Sequence, residues 1–280
     1  MSWRIATRHV SSYRYATPVS ASYNEARMTP VSSDRQVLLE SHVAVRPSAT
    51  LLRYVDYWST TVHAFDVHEP HDHLLVTGSS VVETAPAGPV ETGAGWDDLR
   101  RPEVQDRFAE LLLPSAYAVA DDALAERARH AAGLASPEAA TLAVSELVRS
   151  SLRYEPGTTH VATSAPEAWS QGSGVCQDFA HVALALLRSA GVPARYVSGY
   201  LHPDPAASIG EPVSGASHAW VEAWVGDWVA VDPTNDEPVG ARHVTVARGR
   251  DYADVAPLRG LYHGGALDRL EVTVELTRLR

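Results

Sequence analysis

Lysine is missing from this 280-residue chain, and all 23 of its basic residues are arginine. Codon bias in a GC-rich genome, which the wealth of Ala, Arg and Val also suggests, accounts for the pattern. Whatever the origin, the protein has no side-chain amine to offer as an acyl acceptor. Cysteine is almost as scarce. With Cys176 alone, no intrachain disulfide can form, and a cysteine-rich zinc site is excluded. Cationic charge is in deficit too, with 34 acidic residues leaving a formal net charge of −11. Nucleic acid and anionic membrane surfaces both need a cationic face, so neither is expected as a partner. No apolar run is long enough to span a bilayer, and Met1-Ser2-Trp3-Arg4 does not read as a signal peptide. A cytoplasmic location is therefore the default expectation. No EF-hand loop occurs, so a calcium requirement has no support, and no cofactor is expected.

What is present is a globular composition, 45% hydrophobic, over a length that suits one large domain or two small ones. Up to about residue 85 the chain reads as β-structure. Residues 3–15, 35–45, 52–67 and 74–83 are rich in Val, Thr, Tyr and Leu, often alternate, and are separated by turn residues. Residues 85–95 hold two Pro and three Gly with almost no apolar pattern, which marks a linker. The expected division is a β-rich N-terminal domain over 1–90 and a core over 97–280, with a final strand, 270–279, that can pack on either.

Past the linker the period becomes helical, over 102–113 and 117–132. Ser136-Pro137-Glu138 supplies an N-cap, a proline at the first helical position and an early acid for a helix to about Leu152. The strongest helix spans 176–190, with Phe179, Ala180, Ala183, Leu184 and Leu187 on one face and Gly191-Val192-Pro193 as its stop. Strands at 195–201, 218–225, 228–231, 244–247 and 270–279 follow. Helices and then strands, without regular alternation, give an α+β fold: a Cys helix packed on an antiparallel sheet, preceded by a β-rich domain.

Cys176 opens that helix behind the loop Gln171-Gly172-Ser173-Gly174-Val175. Free backbone N–H groups and the helix dipole favour a thiolate there, and the thiolate is the nucleophile. The plain alternative is that Cys176 begins the buried face, in phase with Phe179 and Ala180. Asp178 is awkward beside a thiolate unless it points away, and it reads as a first-turn acid complementing the dipole. His218 starts an alternating strand that puts His218, Trp220, Glu222 and Trp224 on one face, and Asp232 closes the next strand. A carboxylate beside an imidazole fixes its tautomer and supports its cation. One of 13 histidines near a strand means little, but Cys, His and Asp in that order on helix, strand and next strand mean more.

Four stretches carry a family resemblance: G-V-C-Q-D-F-A-H at 174–181, G-V-P-A-R-Y-V-S-G-Y at 191–200, H-A-W-V-E at 218–222 and D-P-T-N at 232–235. Together with H-V-T-V-A-R-G-R-D-Y-A-D-V-A-P at 243–257, they resemble the bacterial transglutaminase-like proteins, whose core is similar to papain. The β-rich start resembles the domain that often precedes that core. The resemblance implies a protein or peptide substrate and a thiolate that attacks a carboxamide or peptide carbonyl. Ammonia or an amine leaves, and an amine or water takes the acyl group. By motif position Cys176 is the nucleophile, His218 the base and Asp232 its orienter. Such enzymes use a Trp or Gln upstream of the cysteine in the oxyanion hole, which makes Trp169 and Gln171 candidates, and Trp220 beside His218 is a third for substrate contact.

Weaker features remain. His63, His68, His71 and His73 lie near Asp66, Glu69 and Asp72, a set able to hold a metal, yet the stretch also reads as strand, polar turn and strand, and no metal is expected. The loop over 203–217 reads as a connection or a lid beside the site. Strand parity adds a geometric condition. A two-residue hairpin at Gly226-Asp227 would place Asp232 on the face opposite His218. A three-residue loop pairing Trp224 with Trp228 puts both on one face, so an odd-length loop or a bulge is predicted.

Overall fold

The structure is a computed structural model that describes residues 2–88 and 93–280. It opens with β1 (Trp3–Ala26), β2 (Gln36–Arg46), β3 (Leu52–Val55), β4 (Thr61–Val67) and β5 (His71–Thr84). The first strand is 24 residues long rather than ending near Tyr15, and 52–67 divides in two at a turn where the Asp56 carboxylate accepts from the Trp58 and Thr60 amides. Register shifts after Arg14 bend β1, so that its first half pairs with β5 and its second with β4. Inward Tyr15, Val19, Phe65, Leu74 and Val76 fill one core of the resulting curved sheet. The linker predicted over 85–95 lies partly at 89–92, outside the described residues.

The helices are α1 (Trp96–Leu99), α2 (Pro102–Arg107), α3 (Ala109–Leu112), α4 (Asp122–Ala132) and α5 (Pro137–Ser151). The single helix expected over 102–113 breaks at Phe108, whose ring tucks in against Trp224 at 4.8 Å. The helix expected from Tyr117 starts only at Asp122, because the Asp121 carboxylate caps it through the Leu124 amide. Next come β6 (Arg153–Tyr154), α6 (Ala165–Gln171), β7 (Ser173–Gly174) and α7 (Cys176–Ser189). Sequence reading passed over α6, although its Ser164 and Glu167 form an S-x-x-E signature in which the Glu167 carboxylate accepts from the Ser164 amide.

The remainder is β8 (Ala194–Leu201), β9 (Pro212–Gly215), β10 (Ser217–Trp224), β11 (Trp228–Val231), β12 (His243–Gly249), α8 (Tyr252–Val255), β13 (Leu258–Gly264) and β14 (Leu267–Arg278). A four-stranded antiparallel sheet runs β11-β10-β8-β12. Helix α7 lies on it, covered by α4, α5 and α6, so Phe179 through Arg188 are all buried and the helix is apolar on nearly every side. The last strand packs on the first part of the chain: β14 pairs with β1 from Ile5↔Arg278 to Tyr15↔Leu267, and β13 with the second half of β1. The 203–217 stretch is more than a connection, since its β9 segment pairs with β14. One continuous core therefore holds Ile5 and Val82 from the first sheet, Leu276 from β14, and the buried residues around α7.

The β10–β11 hairpin pairs Trp224 with Trp228 and Val221 with Val231 across a three-residue loop. Ala219, Val221 and Ala223 enter the core under α7, which leaves His218, Trp220 and Glu222 on the other face. Asp232, one step past Val231, falls opposite Trp220 and reaches the His218 face.

Candidate active site

Cys176 occupies the first turn of α7 directly after β7, partly exposed, with its Sγ 3.9 Å from the Ser217 carbonyl oxygen. Asp178 is turned back onto the loop. Its Oδ2 accepts from the Val175 amide at 2.8 Å and the Thr159 hydroxyl at 2.6 Å, closing the helix N-terminus. Gly174 makes room for it, since a Cβ there would sit 2.6 Å from that oxygen. Burial pushes the Asp178 carboxyl up, against the pull of these hydrogen bonds.

His218 Nε2 donates to Asp232 Oδ2 at 2.6 Å in a buried setting. That bond leaves Nδ1 free of Asp232, and Cys176 is close enough to raise the pKa of the same imidazole. Burial alone would lower the His218 pKa. The Asp232 hydrogen bond and then the Cys176 contact outweigh it and push the group up to about 9. Burial would likewise raise the Asp232 carboxyl, but hydrogen bonds from His218, His243 and Asn235 hold it far below the usual carboxylate range. Its other oxygen, Oδ1, accepts the Thr234 and Asn235 amides at 2.9 and 3.2 Å, so the D-P-T-N turn builds its own carboxylate cradle.

Two neighbours escaped the sequence reading as site residues. The Asn235 amide nitrogen donates to Asp232 Oδ2 at 2.9 Å; it also lies 3.3 Å from His218 Nε2, but both nitrogens are donors, so the carboxylate is its partner. His243, buried on β12, places Nε2 3.4 Å from the same oxygen. Its Nδ1 accepts the Gly240 amide at 3.2 Å, which fixes the proton on Nε2 and keeps the ring neutral, as burial also favours. Two histidines thus share one oxygen, with the pKa of His218 pushed up and that of His243 pushed down. The D-P-T-N and H-V-T-V motifs contained both residues, but only the fold brings them together.

His218, Asp232 and His243 bring one ligand atom each within 4.8 Å of one another. Asp232 Oδ2 is already met by three N–H donors, a setting that suits a carboxylate held by hydrogen bonds better than a cation. The His63–His73 stretch does not converge among the described residues. His71 bonds to the Glu69 carbonyl at 2.8 Å and His73 to the Ser12 hydroxyl at 2.8 Å.

The three candidates for substrate contact each have partners of their own. Trp169 packs against the core under the Arg127 guanidinium, 4.9 Å from its ring. Gln171 donates to the Thr158 carbonyl at 2.8 Å. Trp220 is fully buried and supports both histidine rings, edge-on to His243 at 5.2 Å and tilted to His218 at 6.0 Å. None of them lines the cavity of about 860 Å³ that opens beside His218. Its walls are Tyr154, Leu201, Pro203, residues 214–218, residues 234–237 and Arg242.

Cys176 at a helix start, with His218 hydrogen-bonded to Asp232 nearby and a cavity beside His218, makes this the candidate site. The family model of the transglutaminase-like superfamily matches residues 124–233, and that of the bacterial transglutaminase-like N-terminal region matches residues 5–83. An uncharacterized protein of Mycobacterium leprae is 47% identical over 277 residues, 99% of each chain, and one of Mycobacterium tuberculosis is 32% identical over 304 residues, 98% of this chain and 92% of that one. A candidate cysteine protease from Cytophaga hutchinsonii shares the fold at 22% identity, with a TM-score of 0.76 over 100% of this chain and 93% of that one. The chain belongs to the transglutaminase-like superfamily, a family of cysteine-dependent enzymes.

Proposed function

We propose that the protein transfers acyl groups from a glutamine-type carboxamide or peptide bond through a thioester on Cys176. In this reading His218 is the base and Asp232 its orienter. The observation that supports it is the His218 imidazole bonded to the Asp232 carboxylate at 2.6 Å, with Cys176 close enough to raise its pKa. His218 takes the thiol proton, the sulfur attacks the carbonyl carbon, and the imidazolium returns its proton to the departing ammonia or amine. An amine or water, deprotonated by His218, then releases the acyl group. The substrate in this reading is a protein or peptide.

Hydrolysis, as a peptidase or amidase, is the second reading. The cavity beside His218 and the partial exposure of Cys176 favour keeping it, because amine selectivity requires a site that excludes water. Both readings share the first half-reaction. Intact-mass analysis after mixing with p-nitrophenyl acetate should find one acetyl group on Cys176 and none in Cys176→Ala. Deacylation with methylamine against buffer alone then chooses between acceptors. A wild-type protein that never acylates at Cys176 would refute both.

A further inference from the structure

The reaction proposed above needs a second donor for the oxyanion, beside the Cys176 backbone N–H. Gln171 donates to the Thr158 carbonyl, and the Trp169 ring lies under the Arg127 guanidinium. A different upstream residue faces the site. Tyr154 ends the two-residue strand β6, which runs parallel to β7 with Tyr154 opposite Gly174. Backbone bonds on either side, Arg153 N–H to Gly172 O at 3.0 Å and Glu155 N–H to Gly174 O at 2.9 Å, fasten it to the segment that presents Cys176 two residues later. Its side chain forms a wall of the cavity shared with Ser217 and His218 and is 53% exposed. Ser217 is the residue whose carbonyl touches the Cys176 sulfur. The phenol ring is backed by Phe179 of α7 at 6.4 Å. Burial and then the charge of Cys176 push the Tyr154 pKa up, so the hydroxyl stays protonated and remains a donor.

We propose that Tyr154 is a catalytic residue of this acyl transfer: its hydroxyl donates a hydrogen bond to the substrate carbonyl oxygen as that oxygen becomes the oxyanion. As the Cys176 sulfur bonds to the carbonyl carbon, the C=O π pair moves onto oxygen, where the phenol O–H and the Cys176 N–H meet it. When the pair returns, the C–N bond breaks, and the amine leaves with the proton held by His218. The Tyr154 proton is never transferred.

The test compares two reactions of one thiol in the Tyr154→Phe variant. Acylation by p-nitrophenyl acetate passes through an oxyanion, whereas alkylation by iodoacetamide displaces iodide at a saturated carbon and forms none. Acylation should slow by about a hundredfold. Alkylation should stay within about twofold of wild type across the pH range, because the thiol and its imidazole are untouched. Equal slowing of both reactions would overturn the proposal, making Tyr154 a support for the Cys176 loop, and so would unchanged acylation. A wild-type protein that alkylates but never acylates would instead remove the acyl-transfer reading on which the proposal rests.

Discussion

Asp232→Asn isolates the charge beneath the imidazole. The Asp232 side chain has 0% solvent exposure, and its Oδ1 partners, the Thr234 and Asn235 amides, can still be met by an amide oxygen. What disappears is the negative charge on Oδ2. An amide nitrogen there would face the N–H groups of His218 and Asn235, at 2.6 and 2.9 Å in the native carboxylate. His218 should fall from about 9 to near or below its ordinary 6.5, because burial then acts with less opposition. At 1.36 kcal/mol per pH unit, the imidazolium loses about 3 kcal/mol of support. The sign of the stability profile follows. In the native protein the raised pKa gives stability that is complete below 6.5 and is lost as pH rises toward about 9. In the variant a neutral buried ring makes stability rise with pH through the ordinary histidine range. Histidine NMR titration, thermal unfolding from roughly pH 5 to 10, and the pH profile of Cys176 alkylation read this out together. A His218 titration within about half a unit of native, with superposable alkylation profiles, would refute the reasoning.

Glu222, buried between Arg195 at 2.6 Å and Arg248 at 2.8 Å, is the carboxylate bonded to both guanidinium groups, so Glu222→Ala should cost about 3–5 kcal/mol in urea unfolding. A native midpoint would show that the network contributes nothing. Gly199→Ala would place a Cβ 2.0 Å from the Val244 carbonyl oxygen and 2.7 Å from the Trp220 ring, and it should abolish soluble expression or lower Tm sharply; a native Tm would contradict that close approach. With no lysine, the enzyme incubated alone should give no isopeptide-linked oligomers on denaturing gels, while methylamine should label exposed Gln105 or Gln171 before buried Gln36. Oligomers linked other than through the α-amine would contradict it.

Local signals carried much of the fold. The start and stop of α7 follow from a glycine-containing loop before Cys176 and from Gly191 and Pro193 after it. Ser136 caps α5 through the Ala139 amide at 3.1 Å, as its sequence indicates. The β10–β11 register ran against its local Gly226-Asp227 turn signal and was legible only by requiring Asp232 to share the His218 face. The elements that were missed lack such signals. β6 and β7 are two residues each, and β9 exists only because β14 lies beside it. His243 and Tyr154 look ordinary in sequence because their surroundings come from remote segments.

The pairing of β14 with β1 also sets a timetable for synthesis. From Ile5 to Tyr15, one edge of β1 has no strand partner until residues 267–278 emerge from the ribosome. The same alignment carries Leu276 into the core around α7. A nascent chain that already holds Cys176, His218 and Asp232 therefore still exposes an unpaired strand edge, the kind that recruits other chains. Its longest-range contacts form last, so folding should be slow, and truncation before β13 should yield aggregates rather than a smaller working enzyme.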